Sequence, residues 1–231
     1  MNFCFAAPPQ PFVPIAGRSD AFPVHRIYCV GRNYEDHARE MGASGREAPF
    51  FFCKPGDAVV CKEPDPIAMR YPDRTADLQH EVELVVAIGA PGYQVSVERA
   101  AGMVWGYAVG IDLTRRDLQA EAKRQGRPWD VSKGFDGSAP IGAIHPAGPI
   151  GELGARRIWL DVNGTRRQQG NLSQMIWSVE ETIAQLSGFF QLAAGDLIFT
   201  GTPAGVGKIV AGDRIEAGID GIGTLRVQID S

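Results

Sequence analysis

Residues 78–89 read LQHEVELVVAIG, and the fold turns on them. Alternate side chains of a strand share a face. Glu81 and Glu83 therefore stand beside Val85 and Ala87, while Val82, Leu84 and Val86 line the other side. Neither face has the composition of an ordinary solvated surface, although an edge strand carrying an acidic pair is the plain alternative. Burial and mutual repulsion both oppose the charged form of two neighbouring carboxylates. The pair asks for a metal, an arginine or a proton.

Upstream, RIYCVG reads as a buried strand, and NYEDHAREMG as a short helix that Asn33 can cap and Gly42 ends. PFFFCKP is a short strand between prolines. Downstream, SVERAAGMVWGYAVGIDLT gives a helical turn and a strand ending near Asp112, and TRRDLQAEAKRQG is a helix that stops at Gly126. RIWLDVNG and TRRQQGN form a hairpin about Asn163-Gly164. SVEETIAQLSGFF is the one long amphipathic helix, with Ser178 as N-cap and Glu181 at the capping-box position. AGDLIFTGTP and AGDRIEAGI are two similar turn-plus-strand units, and GTLRVQI closes the chain. Many short strands and few helices predict an α+β fold, with an N-terminal arm over residues 1–22 and one domain over 23–231.

The chain has 231 residues and is 44% apolar, enough for a substantial core. Its formal charge of -4 excludes a broad basic footprint, so no nucleic-acid partner is expected. The longest apolar runs are too short to span a bilayer. The first twenty residues lack a basic n-region and are broken by prolines, so they do not read as a signal peptide. Cytoplasmic residence is expected. Cys4, Cys29, Cys53 and Cys61 show no zinc-type spacing and read as ordinary thiols.

Three constellations carry chemistry. Asp112 ends a strand at a polar helix start and adds a third oxygen donor to Glu81 and Glu83; such a set suits Mg²⁺ or Mn²⁺, and Ca²⁺ less well. His37 and Glu40 lie three apart on one helical turn, where the carboxylate can orient the imidazole as a general base, although such pairs often sit idle on surfaces. Asp112, Arg116 and Gln119 share a face if the helix begins early enough, with Lys133 in a glycine-flanked loop beyond; Arg115, Lys123 and Arg124 read as the solvated side. A cation and an amide beside a metal would grip an α-keto carboxylate. FTGTPAGVGKI fails as a phosphate loop, because Ile209 follows Lys208 where Ser or Thr is needed. It reads instead as a tight loop whose amides and Thr202 hydroxyl could meet a carboxylate.

YCVGRNYEDHAREMG, PFFFCKP, HEVELVVAIG, GYAVGIDLTRRDLQ, RPWDVSKGFDGSAPIG, VNGTRRQQGNLSQMIW and GDLIFTGTPAGVG together resemble the fumarylacetoacetate hydrolase family, in the family's order from about residue 26 to the end. The resemblance implies a mixed β-sandwich or barrel-like roll with few short helices. It implies Glu81, Glu83 and Asp112 as divalent-metal ligands, His37 and Glu40 as a water-activating pair on a lid spanning about residues 34–46, and Lys133 as the active-site lysine. It places Arg116, Gln119 and Thr202 against substrate oxygens. The chain has no room for the extra N-terminal domain of the longer eukaryotic members, so it looks like the short bacterial-type branch. Members of that branch cleave acylpyruvates, decarboxylate oxaloacetate, or isomerise and decarboxylate dienoate diacids. The arm and PVHRIYCVGRNYEDHAREMG are most similar to fumarylpyruvate hydrolases of gentisate catabolism, which implies a small diketo-acid substrate and a homodimer.

Overall fold

Strand Val82–Ile88 lies in the interior of a six-stranded sheet, between strands Val104–Ile111 and Leu197–Phe199. Strand Ile27–Gly31 follows, with Phe50–Lys54 at one edge and His145–Pro146 at the other. All seven residues of Val82–Ile88 are buried, so the edge-strand alternative fails. The sheet is mixed: Leu197–Phe199 runs parallel to Ile27–Gly31 and antiparallel to Val82–Ile88. The computed structural model describes residues 3–36, 46–61 and 65–231.

A second sheet of five strands runs in the order Thr165–Asn171, Arg157–Val162, Arg214–Ile219, Gly223–Asp230, Ile67–Arg70. Alternation along the central strand feeds two cores. Leu84, Val86 and Ile88 join Leu160, Ala217 and Val227 of the second sheet in the main cluster. Val85 and Ala87 point the other way, onto Ile27, Phe199 and the arm residues Val13, Ile15 and Phe22. The arm is thus fastened to the domain. Its strands Phe12–Pro14 and Ala21–Pro23 pair with each other, and Val13 is fully buried.

Helices are few and short, as expected of this α+β fold. The longest among the described residues, Val179–Phe189, carries the full capping box: Glu181 N–H donates to Ser178 Oγ (3.2 Å), and Ser178 N–H to Glu181 Oε2 (3.0 Å). Asn163 and Gly164 both take left-handed φ, 51° and 75°, as the primed turn of a two-residue hairpin requires. The two AGD units are equivalent turns: Ala193 N–H donates to Asp196 Oδ2 and Val210 N–H to Asp213 Oδ2, each at 2.8 Å.

Asn33 departs from the expected cap. It is fully buried, its amide donating to the Trp177 and Thr200 carbonyls and its oxygen accepting from Trp177 N–H. These bonds tie the end of strand Ile27–Gly31 to two distant segments. Cys29 is a buried thiol, and the Cys61 thiol donates to the Phe12 carbonyl at 2.9 Å. No helix among the described residues is long and apolar enough to cross a membrane.

Candidate active site

Register assembles the acidic cluster. Strands Val82–Ile88 and Val104–Ile111 pair antiparallel with Val82 opposite Ile111 and Glu83 opposite Gly110. Glu81 and Asp112 therefore flank the same end of the ladder, where Asp112 N–H donates to Glu81 O at 2.8 Å. One oxygen from each of Glu81, Glu83 and Asp112 lies within 4.8 Å of the others, all three residues buried. They line a cleft together with Arg116, Gln119, Lys133 and Thr202.

Two of the three acids are already met by cations. Lys133 Nζ donates to Glu81 Oε2 (2.9 Å) and Asp112 Oδ2 (2.6 Å), and Arg116 Nη2 bonds Glu81 Oε1. Lys54, unassigned from sequence, ends strand Phe50–Lys54 in the core and sits 2.8 Å from Asp112 Oδ1, also donating to the Leu113 and Lys133 carbonyls. Glu83 is different. It accepts a backbone bond from Gly201 N–H at 2.7 Å, and among the described residues no cation lies within ion-pair distance. Burial, then repulsion from Asp112 and Glu81, holds its carboxyl well above the usual range. Burial pulls the Lys133 ammonium down, but Asp112 and Glu81 outweigh it and leave the group above its ordinary value.

This donor set fits a hard divalent ion. It offers only carboxylate oxygens, and each such oxygen has room for a second partner beside an ammonium. Among the described residues, Glu83 is the one acid of the three with no cation within ion-pair distance, Lys133 favouring its charged form only from further away. Glu81, Glu83 and Asp112 are the residues that would hold the ion.

The donors around the acids have fixed polarity. Helix Arg116–Gln125 begins at Arg116, so Asp112 is not on it; the strand end, not a helical face, brings Asp112 to the cluster. Arg116 reaches back to Gln79 Oε1 (2.8 Å) and donates to Gln119 Oε1 (2.6 Å). With that oxygen taken, Gln119 has its NH₂ left to offer. Thr202 Oγ accepts from Gln168 Nε2 at 2.8 Å, which leaves its O–H free to donate. Gln168 is held in turn because its oxygen accepts from His80 Nδ1–H (2.9 Å) and Val82 N–H (3.1 Å).

Several sequence expectations need correction. Lys133 ends a short helix, Asp130–Lys133, and is not in a loop. The amide of the Gly201 loop does meet a carboxylate, but it is that of Glu83. Arg115 stacks on Phe135, with its guanidinium carbon 4.4 Å from the ring centroid, and Lys123 lines the cleft; neither is merely solvated. His37 and Glu40 lie outside the described residues, as does most of the expected lid. Lys54 and Gln168 were missed, although a lysine closing the apolar run FFFC and a glutamine in a hairpin strand were visible anomalies.

The chain matches the family model described as fumarylacetoacetate (FAA) hydrolase C-terminal over residues 26–230. It is 44% identical over 204 residues to a mitochondrial oxaloacetate tautomerase of Rattus norvegicus, spanning 88% of this chain and 91% of that one. It is 41% identical over 201 residues to an oxaloacetate tautomerase of Escherichia coli (strain K12), spanning 87% and 90%. Among solved structures, fumarylpyruvate hydrolase from Pseudomonas aeruginosa, in complex with Mn²⁺ and pyruvate, superposes with a TM-score of 0.94 at 49% identity, covering 99% of each chain. With the fold, the acidic cluster and these likenesses together, the chain belongs to the fumarylacetoacetate hydrolase family.

Proposed function

We propose that this protein is a divalent-metal-dependent carbon–carbon hydrolase of acylpyruvates, cleaving fumarylpyruvate with water to fumarate and pyruvate. The observation that carries the reading is the convergence of Glu81, Glu83 and Asp112 beneath Lys133, with Arg116, Gln119 and Thr202 around them. The likeness to a fumarylpyruvate hydrolase that binds Mn²⁺ and pyruvate supports both the metal and the substrate class. When bound, Mg²⁺ or Mn²⁺ supplies Lewis-acid stabilisation of the negative charge that develops as pyruvate enolate leaves.

The chain's own groups do the rest. The Gln119 amide and the Thr202 hydroxyl, each turned donor-outward by its partner, hold the carboxylate and 2-oxo oxygens of the substrate beside Arg116. His37, oriented by Glu40, takes a proton from water as its oxygen attacks the distal ketone. The tetrahedral adduct collapses, the bond between the former ketone carbon and the pyruvyl methylene breaks, and its electron pair moves onto the pyruvyl unit. Lys133, held protonated by its two carboxylates, stabilises the enolate oxygen or returns a proton to the departing unit.

A second reading has its own support: relatives at 41–44% identity are named oxaloacetate tautomerases. Enolisation of oxaloacetate, or its decarboxylation, needs the same enolate stabilisation and no attacking water. Pyruvate release and loss of the enol-diketo ultraviolet absorption are to be followed on fumarylpyruvate, with oxaloacetate enolisation and decarboxylation assayed in parallel. Fumarylpyruvate cleavage that falls roughly 10²- to 10⁴-fold in His37→Ala, with a much smaller loss on oxaloacetate, is the expected result. Wild-type turnover of oxaloacetate alone would transfer the assignment to the second reading.

A further inference from the structure

The cleft carries cations that the reaction above does not use. Arg116, Gln119 and Lys123 occupy positions i, i+3 and i+7 of helix Arg116–Gln125, so they form one stripe that rises about 10 Å from the acidic floor. Arg116 and Gln119 are spent on the floor, whereas Lys123 stands at the mouth. Across from it, Arg32 follows strand Ile27–Gly31 and lines the same cleft.

Both cations rest on aromatic rings and not on acids. Arg32 lies with its guanidinium carbon 5.7 Å from the Phe50 ring centroid, and Lys123 Nζ lies 5.1 Å from that of Trp129. Phe50 and Trp129 meet edge to face at 5.5 Å and form one apolar wall beneath the two charges. Among the described residues neither cation has a carboxylate within ion-pair distance.

The placement of Arg32 is demanding. Its φ of 59° is unusual for a residue with a side chain, and at the adjoining Gly31 a Cβ would lie 2.0 Å from Phe50 Cζ, so any side chain there would displace the Phe50 ring. Asn33, locked by its bonds to Trp177 and Thr200, holds the next residue. A backbone so constrained, presenting to a cleft a guanidinium with no carboxylate partner among the described residues, is the pattern of a built binding group. Burial, and then the neighbouring Arg116, Arg32 and Lys133, pushes the Lys123 ammonium down to about 8, with Glu81 only partly opposing it.

We propose that Arg32 and Lys123, above the Phe50–Trp129 wall, form a second carboxylate subsite that selects substrates bearing an anionic group at the end remote from the 2-oxo acid. The orientation of the ligand rests on the acylpyruvate reading, in which the 2-oxo acid end lies on the floor. The aromatic wall then faces the flat unsaturated middle of the chain, and the cations its terminal carboxylate. The preferred class is the seven-carbon 2-oxo diacid.

The test uses binding without turnover, so that it stands apart from the activity assay. Calorimetric titration in Mg²⁺ compares 2-oxoheptanedioate with 2-oxoheptanoate, which share the 2-oxo acid end, lack the 4-oxo group needed for cleavage, and differ in the terminal carboxylate. Wild type should bind the diacid roughly 10- to 100-fold tighter, as charge-assisted hydrogen bonds to one carboxylate imply. Lys123→Gln and Arg32→Gln should each collapse that ratio toward one. Equal affinity of wild type for both ligands overturns the subsite, as does an undiminished ratio in both variants. Should Arg32→Gln unfold because of its constrained backbone, Lys123→Gln, at an exposed position at the cleft mouth, decides alone. If no acylpyruvate is turned over yet the ratio behaves as expected, the hydrolase reading fails and the diacid subsite stands.

Discussion

Glu83 and Asp112 are both buried carboxylates of one cluster, yet their surroundings give them opposite roles in the unliganded protein. Asp112 is the counter-ion of two buried ammonium groups, Lys54 and Lys133. Asp112→Asn leaves both cations with too little charge to face, and removing one partner of a buried pair costs about 3–5 kcal/mol. Glu83 faces no cation among the described residues. Glu83→Gln keeps the acceptor for Gly201 N–H and replaces a carboxyl whose ionisation burial, Asp112 and Glu81 oppose, so the apo protein should unfold at the same temperature or higher. Calorimetric Mn²⁺ titration should show weakened binding in both variants. Thermal unfolding should separate them, and equal destabilisation would refute the asymmetry. Lys123 gives a pH prediction at the same scale. Its ammonium faces Arg116, Arg32 and Lys133, with Glu81 the one opposing charge among its influences, and loses its proton at about 8. Below that pH the cation is present and the preference for diacid over monoacid is full. As pH rises through about 8 the preference should fade in wild type. In Lys123→Gln the ratio, already low, should lack that step.

At the scale of elements, the site is the meeting of strand ends. One register, Val82 opposite Ile111, sets Glu81 against Asp112, and the loop after strand Leu197–Phe199 brings Gly201 N–H onto Glu83. Gly201 has φ +96°, and a Cβ there would lie 2.8 Å from Asn33 Cβ. Gly201→Ala is therefore strained twice, and such backbone strain costs about 1–3 kcal/mol. Because the strained segment holds Glu83, ion affinity should fall with stability. Gly164→Ala provides the contrast: its φ is +75° with nothing within 4 Å, so it should lower the melting temperature and leave ion affinity alone. Parallel losses of affinity in both would show that general loosening, not the Glu83 contact, is responsible. The elements themselves were legible wherever one local rule governs. The Ser178 capping box, the Asn163-Gly164 turn and the two-sided strand 82–88 were read from short-range chemistry. Asn33 was misread as a cap because its partners, Trp177 and Thr200, are more than a hundred residues away.

At the scale of the molecule, sequence order does not reveal that two sheets and an arm close around one strand, nor that Lys54 and Lys133, 79 positions apart, converge on Asp112. The acidic triad was legible because i, i+2 spacing on an apolar strand is anomalous by itself; the cations that answer it come from other elements and carry no local mark. That arrangement would make a divalent ion held there a folding ligand. Its donors come from two adjacent strands whose ends the charges of Glu81, Glu83 and Asp112 tend to push apart, so binding should stabilise the native state over the unfolded chain, which offers no such cluster. At one hundred times its dissociation constant a ligand of this kind adds about 2.7 kcal/mol. For a chain of this length, about 2–4 °C per kcal/mol then corresponds to a rise of roughly 5–11 °C in melting temperature. Mg²⁺ and Mn²⁺ should each produce it at constant ionic strength, a chelator should reverse it, and Glu83→Gln should greatly reduce it while remaining folded. An unfolding temperature indifferent to both ions in wild type would mean that the three carboxylates are satisfied by Lys54, Lys133 and Arg116 alone, and that the cluster is a structural charge network and not a metal centre.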